Sequence, residues 1–310
     1  MKKFKLFFFT IFFQQITFGQ TKVVEIENIE SSNLKGKIKT IKEISFKANK
    51  INNEFVKTTK GWLYDWEKDQ EYYFDSLGNL LLRKDIGNSS SNYSIKLDKK
   101  MRIIELHRLY KSEYYVYDSL NKIISSKLIN KQPEVISKGN TKPTNGTISN
   151  YKYYYDSKKM LIKKEEFKSN SIISIETYKY DNQNNIIESV YKKGSYIEKH
   201  NYEFDSNNLL KKYEWSDNEE GTAEITTYKY LNNLKILEHW VDFEEGVPVG
   251  YIDDKFDNGN IIETTEVDAD GTITLKELCK YEFDKKGNWI KKIIDYNGKY
   301  YIIEREIEYY

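Results

Sequence analysis

Apolar and polar positions alternate along most of this 310-residue chain, and short polar turns interrupt the alternation at near-regular intervals. The stretch Tyr281-Glu282-Phe283-Asp284-Lys285-Lys286-Gly287-Asn288-Trp289-Ile290 shows the pattern most plainly. Aromatics at alternate positions share one face of a strand. Asp284 then opens a turn, because a carboxylate accepts hydrogen bonds from backbone N–H groups just ahead of it. Gly or Asn three or four positions later tolerates φ > 0, as a bulged type I turn requires. An apolar pair starts the returning strand.

Copies recur through most of the chain. Tyr72-Tyr73-Phe74-Asp75 leads to Gly78-Asn79-Leu80, Ile95-Lys96-Leu97-Asp98 to Ile103-Ile104, and Tyr115-Val116-Tyr117-Asp118 to Ile123-Ile124. Tyr153-Tyr154-Tyr155-Asp156, Tyr178-Lys179-Tyr180-Asp181 and Tyr202-Glu203-Phe204-Asp205 follow. Tyr228-Lys229-Tyr230 carries Leu231 where the aspartate belongs, and Phe256-Asp257 leads to Gly259-Asn260. The steps between key positions are 23, 20, 38, 25, 24, 26, 26 and 27 residues. A second turn signal lies between copies, at Lys193-Gly194, Glu220-Gly221, Glu245-Gly246, Asp270-Gly271 and Asn297-Gly298. Two turns per repeat predict two strands of roughly eight to ten residues each. Stacked hairpins then form an all-β, elongated antiparallel hairpin-repeat array, a twisted or spiralling meander sheet over residues 70–310. The 38-residue step, with a longer loop at 130–150, reads as an extended loop within one hairpin or as a hinge between two blocks. Residues 20–69 read as an N-terminal cap with a degenerate repeat at Ile44-Ser45-Phe46.

The first 19 residues break the alternation. Lys2, Lys3 and Lys5 precede an apolar run from Leu6 to Phe13, and polar Gln14-Gln15 leads to Gly19. This is the layout of a secretory signal peptide cleaved near Gly19. The run is too short for an integral membrane span, which needs ~20 apolar residues. The mature protein is expected to be secreted, periplasmic or at the cell surface.

Composition adds limits. Charged residues make up 31% of the chain at a net charge of +1, so nothing marks a nucleic-acid binder. Tyr (27), Phe (15) and Ile suit a half-buried pleated surface, and only 3 Pro occur. The single cysteine, Cys279, excludes an intramolecular disulfide and a cysteine-based zinc site.

The aromatic-x-aromatic-Asp-x-x-Gly-Asn-Leu pattern, best seen at 73–80, 178–187 and 281–290, resembles the YD repeat of the RHS and teneurin-type proteins. The resemblance covers roughly residues 70–310, although the unit here is longer than the usual YD spacing. It implies a spiralling β-sheet on a secreted or surface protein, which in large members closes into a shell around a toxin. This chain is expected to be too short to close a shell, and no toxin is expected after the last repeat. A shared fold does not specify an activity.

Candidate chemistry is sparse. His107, His200 and His239 lack metal-ligand spacing, and no nucleophile elbow or phosphate loop occurs. Glu266, Asp268, Asp270 and Glu277 match the acid spacing of a calcium loop, with Gly271 at its sixth position. The flanking alternation is that of strands, and Asp270-Gly271 falls where other repeats place their second turn. Apart from possible calcium at these four residues, no cofactor is expected. The sequons at Asn88, Asn92 and Asn145 fall in expected loops. The leading expectation is an exported, non-catalytic repeat protein that presents a β-sheet surface to an unknown protein or glycan. The alternatives are an outer-membrane β-barrel or a carboxylate-based extracellular hydrolase.

Overall fold

The aspartates of the repeat, Asp257 apart, fold their own turns; Asp257 ends a strand that closes on the two-residue turn Asn258-Gly259. In this computed structural model, Asp181 Oδ1 accepts from the N–H groups of Gln183 (2.8 Å) and Asn185 (2.9 Å). The Asp181 N–H donates to Asn185 O, and the Asn184 N–H donates to Asp181 O. Asp75, Asp98, Asp118, Asp205 and Asp284 repeat this geometry. The position after the next two residues takes a positive φ, at Gly78, Met101, Asn121, Lys159, Asn184, Asn208 and Gly287. Where Leu231 replaces the aspartate, the turn shrinks to Asn232-Asn233, both at positive φ, the two-residue type I′ solution.

The structure describes residues 33–63, 68–86, 91–108, 111–130, 147–219 and 221–310. Among these, twenty-one strands form one sheet. They are β1 (Ile38–Ile51), β2 (Glu54–Lys60), β3 (Gln70–Phe74), β4 (Leu80–Asp85), β5 (Ser91–Leu97), β6 (Ile103–Arg108), β7 (Lys111–Tyr117), β8 (Ile123–Asn130), β9 (Ile148–Tyr155), β10 (Leu161–Lys168) and β11 (Ser171–Tyr180). There follow β12 (Ile186–Lys193), β13 (Tyr196–Phe204), β14 (Leu210–Asp217), β15 (Gly221–Leu231), β16 (Leu234–Glu244), β17 (Val247–Asp257), β18 (Asn260–Asp268), β19 (Ile273–Phe283), β20 (Trp289–Tyr296) and β21 (Lys299–Tyr309). From β3 onward every strand pairs antiparallel with the next.

The seam makes the expected meander sheet a closed ring. β1 pairs with β21 from Ile38↔Tyr309 to Ala48↔Tyr300, and its other edge pairs with β3 at Thr40↔Tyr73 to Glu43↔Gln70. Among the described residues, twenty strands therefore close a barrel, with β2 extending β1's free edge beyond β3. Closure removes the exposed backbone groups that an open array leaves at both ends. The expected cap supplies the closing strand, which lacks the repeat motif.

β8 and β9 pair directly, so the long step falls within one hairpin, with residues 131–146 of its loop outside the described residues. The signal segment, the sequons at Asn88 and Asn145, and the side chain of Asn92 also lie outside them.

Every aspartate-side hairpin carries a bulge just after its turn, as between Lys179 and Tyr180 opposite Ile186–Glu188. The bulge puts both the last aromatic of one strand and the first apolar residue of the next on the inner wall. Tyrosines bind neighbouring repeats together there. The hydroxyls of Tyr117, Tyr155, Tyr180 and Tyr230 donate to the carbonyls of Ile103, Ile123, Leu161 and Leu210, each in the preceding hairpin (2.7–3.0 Å).

Candidate functional site: the inner wall

Following the cross-strand partners around the ring separates two walls. The outer wall is a lattice of ion pairs between facing residues. Examples are Lys84–Glu71, Lys96–Glu105, Lys212–Glu203, Lys255–Glu263, Lys291–Glu282 and Lys42–Glu306. Glu188 takes both Lys179 and Lys199 from the strands on either side. Outside the seam lies a shallow groove of about 420 Å³ lined by Thr40, Lys42, Glu71, Tyr73, Glu306 and Glu308, several of them already paired.

The inner wall changes character around the ring. Over β3–β10 the end nearest the aspartate turns is apolar: Phe74, Leu80, Tyr93, Ile103, Leu106, Tyr115, Ile123, Tyr153 and Leu161 form one buried cluster with Leu34, Ile38 and Ile41. Beyond it Arg83, Arg108, Glu113, Lys164 and Glu166 put charges of both signs on the same face. Over β13–β19 it is acidic and aromatic. Glu198, Asp217, Glu224, Glu238, Asp242, Asp254, Glu266 and Glu277 share this face, with Lys235 as the one lysine or arginine among its described inner positions. Tyr202, Tyr213, Trp215, Tyr228 and Trp240 stand between them.

Crowding shows in the acids' proton affinity. Burial, reinforced by Glu238 on the facing strand, pushes the Asp254 carboxyl up to about 6, although Thr264 donates to it. Burial together with Asp242 and Glu238 likewise raises Glu224. His200 bridges Tyr213 (2.8 Å) and Glu198 (2.7 Å). His107 and His239 sit on the outer wall beside Glu105 and Asp253, so the three histidines occupy separate hairpins.

At the seam the wall is covered. The described residues on either side of 64–67 lie against the inner wall, with the Gly61 N–H on Ser45 O and Asp69 Oδ1 accepting from the Ser45 N–H and Trp62 Nε1. Leu63 then packs on Cys279, Ile294 and Tyr301. Beside them Glu277 Oε1 accepts from Cys279 Sγ (3.1 Å) and Lys292 Nζ (3.4 Å). Burial raises the Cys279 thiol to about 12, which keeps it protonated and unreactive. Arg305 donates to Glu43 (2.6 Å) while its guanidinium lies over the Trp289 ring, 3.3 Å from the centroid. Tyr72 donates to Glu43 from the third side.

The calcium-spaced residues are divided between the wall and a hairpin tip. Asp270 Oδ1 accepts from the Thr272 N–H, and Asp268 makes the backbone closure of the turn. Glu266 and Glu277 face inward on β18 and β19. The flanks are strands, and among the described residues no group of three or more His, Cys, Asp or Glu side chains is placed to hold a metal. Spacing alone thus identified the turn. It did not identify the acidic wall, whose members come from seven strands.

No family model and no curated protein matches the chain. Solved structures do. A Photorhabdus luminescens Tc holotoxin pore matches at 11% identity and a TM-score of 0.34, over 77% of this chain and 14% of that one. A porin-like protein from Bacteroides uniformis matches at 7% identity and a TM-score of 0.35, over 87% and 96%. Another from Bacteroides vulgatus matches at 12% identity and 0.31, over 88% and 98%.

Proposed function

We propose that this chain is an exported, non-catalytic barrel that stands in water and binds a protein or glycan through its walls. The observation that carries this reading is the outer wall. Its ion pairs run around the ring near the aspartate turns, as at Lys96–Glu105 and Lys291–Glu282, and reach the middle of the strands at Lys163–Glu165, Lys199–Glu188 and Lys212–Glu214. A lysine or arginine on a lipid-facing barrel wall costs about 2–4 kcal/mol at mid-membrane. Charges at mid-strand therefore favour water over lipid around this wall. The aromatic and acidic inner arc is the surface on which a ligand would find both stacking faces and hydrogen-bond acceptors.

The second reading is an outer-membrane barrel. It is favoured by the closed ring itself, since closure is what a spanning sheet requires. The two readings part on one fractionation. Cells making the full chain are lysed and their envelopes washed with alkaline carbonate. Release supports the water-standing barrel. Retention through the wash, with recovery only in detergent, supports the membrane barrel.

A further inference from the structure

The two rims of the barrel are built differently, and one arc of the aspartate-turn rim carries side chains its turns do not need. Four consecutive hairpins, β3–β4 through β9–β10, end in Asp75-Ser76-Leu77-Gly78, Asp98-Lys99-Lys100-Met101, Asp118-Ser119-Leu120-Asn121 and Asp156-Ser157-Lys158-Lys159. Leu77, Met101 and Leu120 are 71%, 51% and 63% exposed. Lys99, Lys100, Lys158 and Lys159 are exposed beside them. The next two hairpins make the same turn with Asp181-Asn182-Gln183-Asn184 and Asp205-Ser206-Asn207-Asn208. The turn therefore accepts neutral polar residues at every one of these positions.

Backbone preference makes the contrast sharper. Met101 (φ 60°) and Lys159 (φ 66°) occupy the left-handed position that sister turns give to Gly78, Asn121, Asn184, Asn208 and Gly287. A long side chain is disfavoured there, whereas Gly or Asn is not. Just below the tips, Val116 (52%), Ile124 (44%) and Ile162 (40%) extend the exposed apolar surface. The carboxylates of Asp98 and Asp118 are turned back onto two backbone N–H groups each, away from the tips, and Asp98 also pairs with Arg102.

We propose that this arc of tips is a peripheral docking surface for an anionic lipid bilayer. Leu77, Met101 and Leu120 enter the headgroup region, and the flanking lysines pair with lipid phosphates. Convex tips that alternate apolar and cationic residues suit an interface; they offer no groove for a peptide. The inference rests on the reading that the barrel wall itself stays in water.

The test is cosedimentation of the mature chain with vesicles of phosphatidylcholine alone or with about one-third phosphatidylglycerol. Binding is expected to anionic vesicles only, to be released by high salt or carbonate, and to fall at least about tenfold in Leu77→Asn/Met101→Asn/Leu120→Asn. Lys158→Ser/Lys159→Asn is expected to weaken it several-fold, while Asn182→Ser/Asn207→Ser leaves it unchanged. Circular dichroism melting confirms that the variants fold, and Met101→Asn should not lower the midpoint. No binding to anionic vesicles overturns the proposal, as does equal binding by the triple variant. Capture by a soluble acidic protein without vesicle binding also overturns it. Insertion into neutral vesicles that resists carbonate would instead overturn the water-standing reading.

Discussion

The arc β3–β10 and the arc β13–β19 are made from the same hairpin, yet their inner walls differ in charge: the first carries both signs beside an apolar cluster, the second carboxylates with a single lysine. In the first, Tyr93, Leu106 and Leu80 are almost fully buried in a continuous apolar cluster. In the second, the equivalent face holds eight carboxylates and a set of half-buried aromatics. The turn aspartate, the bulge and the tyrosine-to-carbonyl bond are common to both arcs. What the module requires is thus separable from what each copy presents. The apolar cluster packs one arc, and in the other burial and neighbouring acids push Glu224 and Asp254 toward their neutral forms.

That contrast gives opposite expectations for truncation on the two sides. Leu106→Ala removes a side chain 1% exposed from the apolar arc. It should cost about 2–5 kcal/mol, read as a drop in the denaturant midpoint. Asp254→Asn in the acidic arc should stabilise instead, by up to about 2 kcal/mol at pH 7.5. The sign follows from the raised carboxyl. The native state holds this proton more tightly than the unfolded chain does, so the group's stability is present below pH ~4 and lost as pH rises through about 6. The variant should therefore flatten the melting profile between pH 4 and 6, accruing its gain over the wild type across that window and holding it above.

Smaller effects test what the arcs share. Asp181→Ala removes acceptors for two backbone N–H groups and for Asn185 Nδ2. A loss of about 1–2 kcal/mol in chemical denaturation is expected. Introducing aspartate at Leu231 should give no matching gain, because Asn232-Asn233 closes that hairpin without it. Tyr180→Phe deletes the donor to Leu161 O and should cost about 1 kcal/mol. An equal loss from Tyr230→Phe, whose partner is Leu210 O, would place the two arcs on the same ladder.

Much of this was readable in the residues. Alternating aromatics, Asp181 and Asn184 specify a strand, its turn and the return, since the forces involved act within a few residues. Closure was not readable. The closing strand lacks the motif, and its partners are distant: Glu43 meets Arg305 across 262 positions. The acidic wall was hidden for a different reason. Each bulge shifts the alternation by one residue, so Tyr228, Glu238 and Asp254 share a face without sharing a continuous period. Glu266, Asp268, Asp270 and Glu277 stood out by linear spacing, whereas the carboxylates that crowd one another are neighbours only across strands.

Closure of the ring is the central claim, and one cross-link tests it. Lys42 on β1 and Glu306 on β21 face each other in register on the outer wall. Directly opposed antiparallel residues lie about 4.5–5.5 Å apart at Cα, within disulfide reach. Lys42→Cys with Glu306→Cys, oxidised under dilute conditions, should form an intramolecular disulfide as completely as Lys179→Cys with Glu188→Cys, a pair inside one hairpin. If the hairpin pair cross-links while the 42–306 pair stays reduced in the monomer, the two ends of the chain do not meet and the barrel is open.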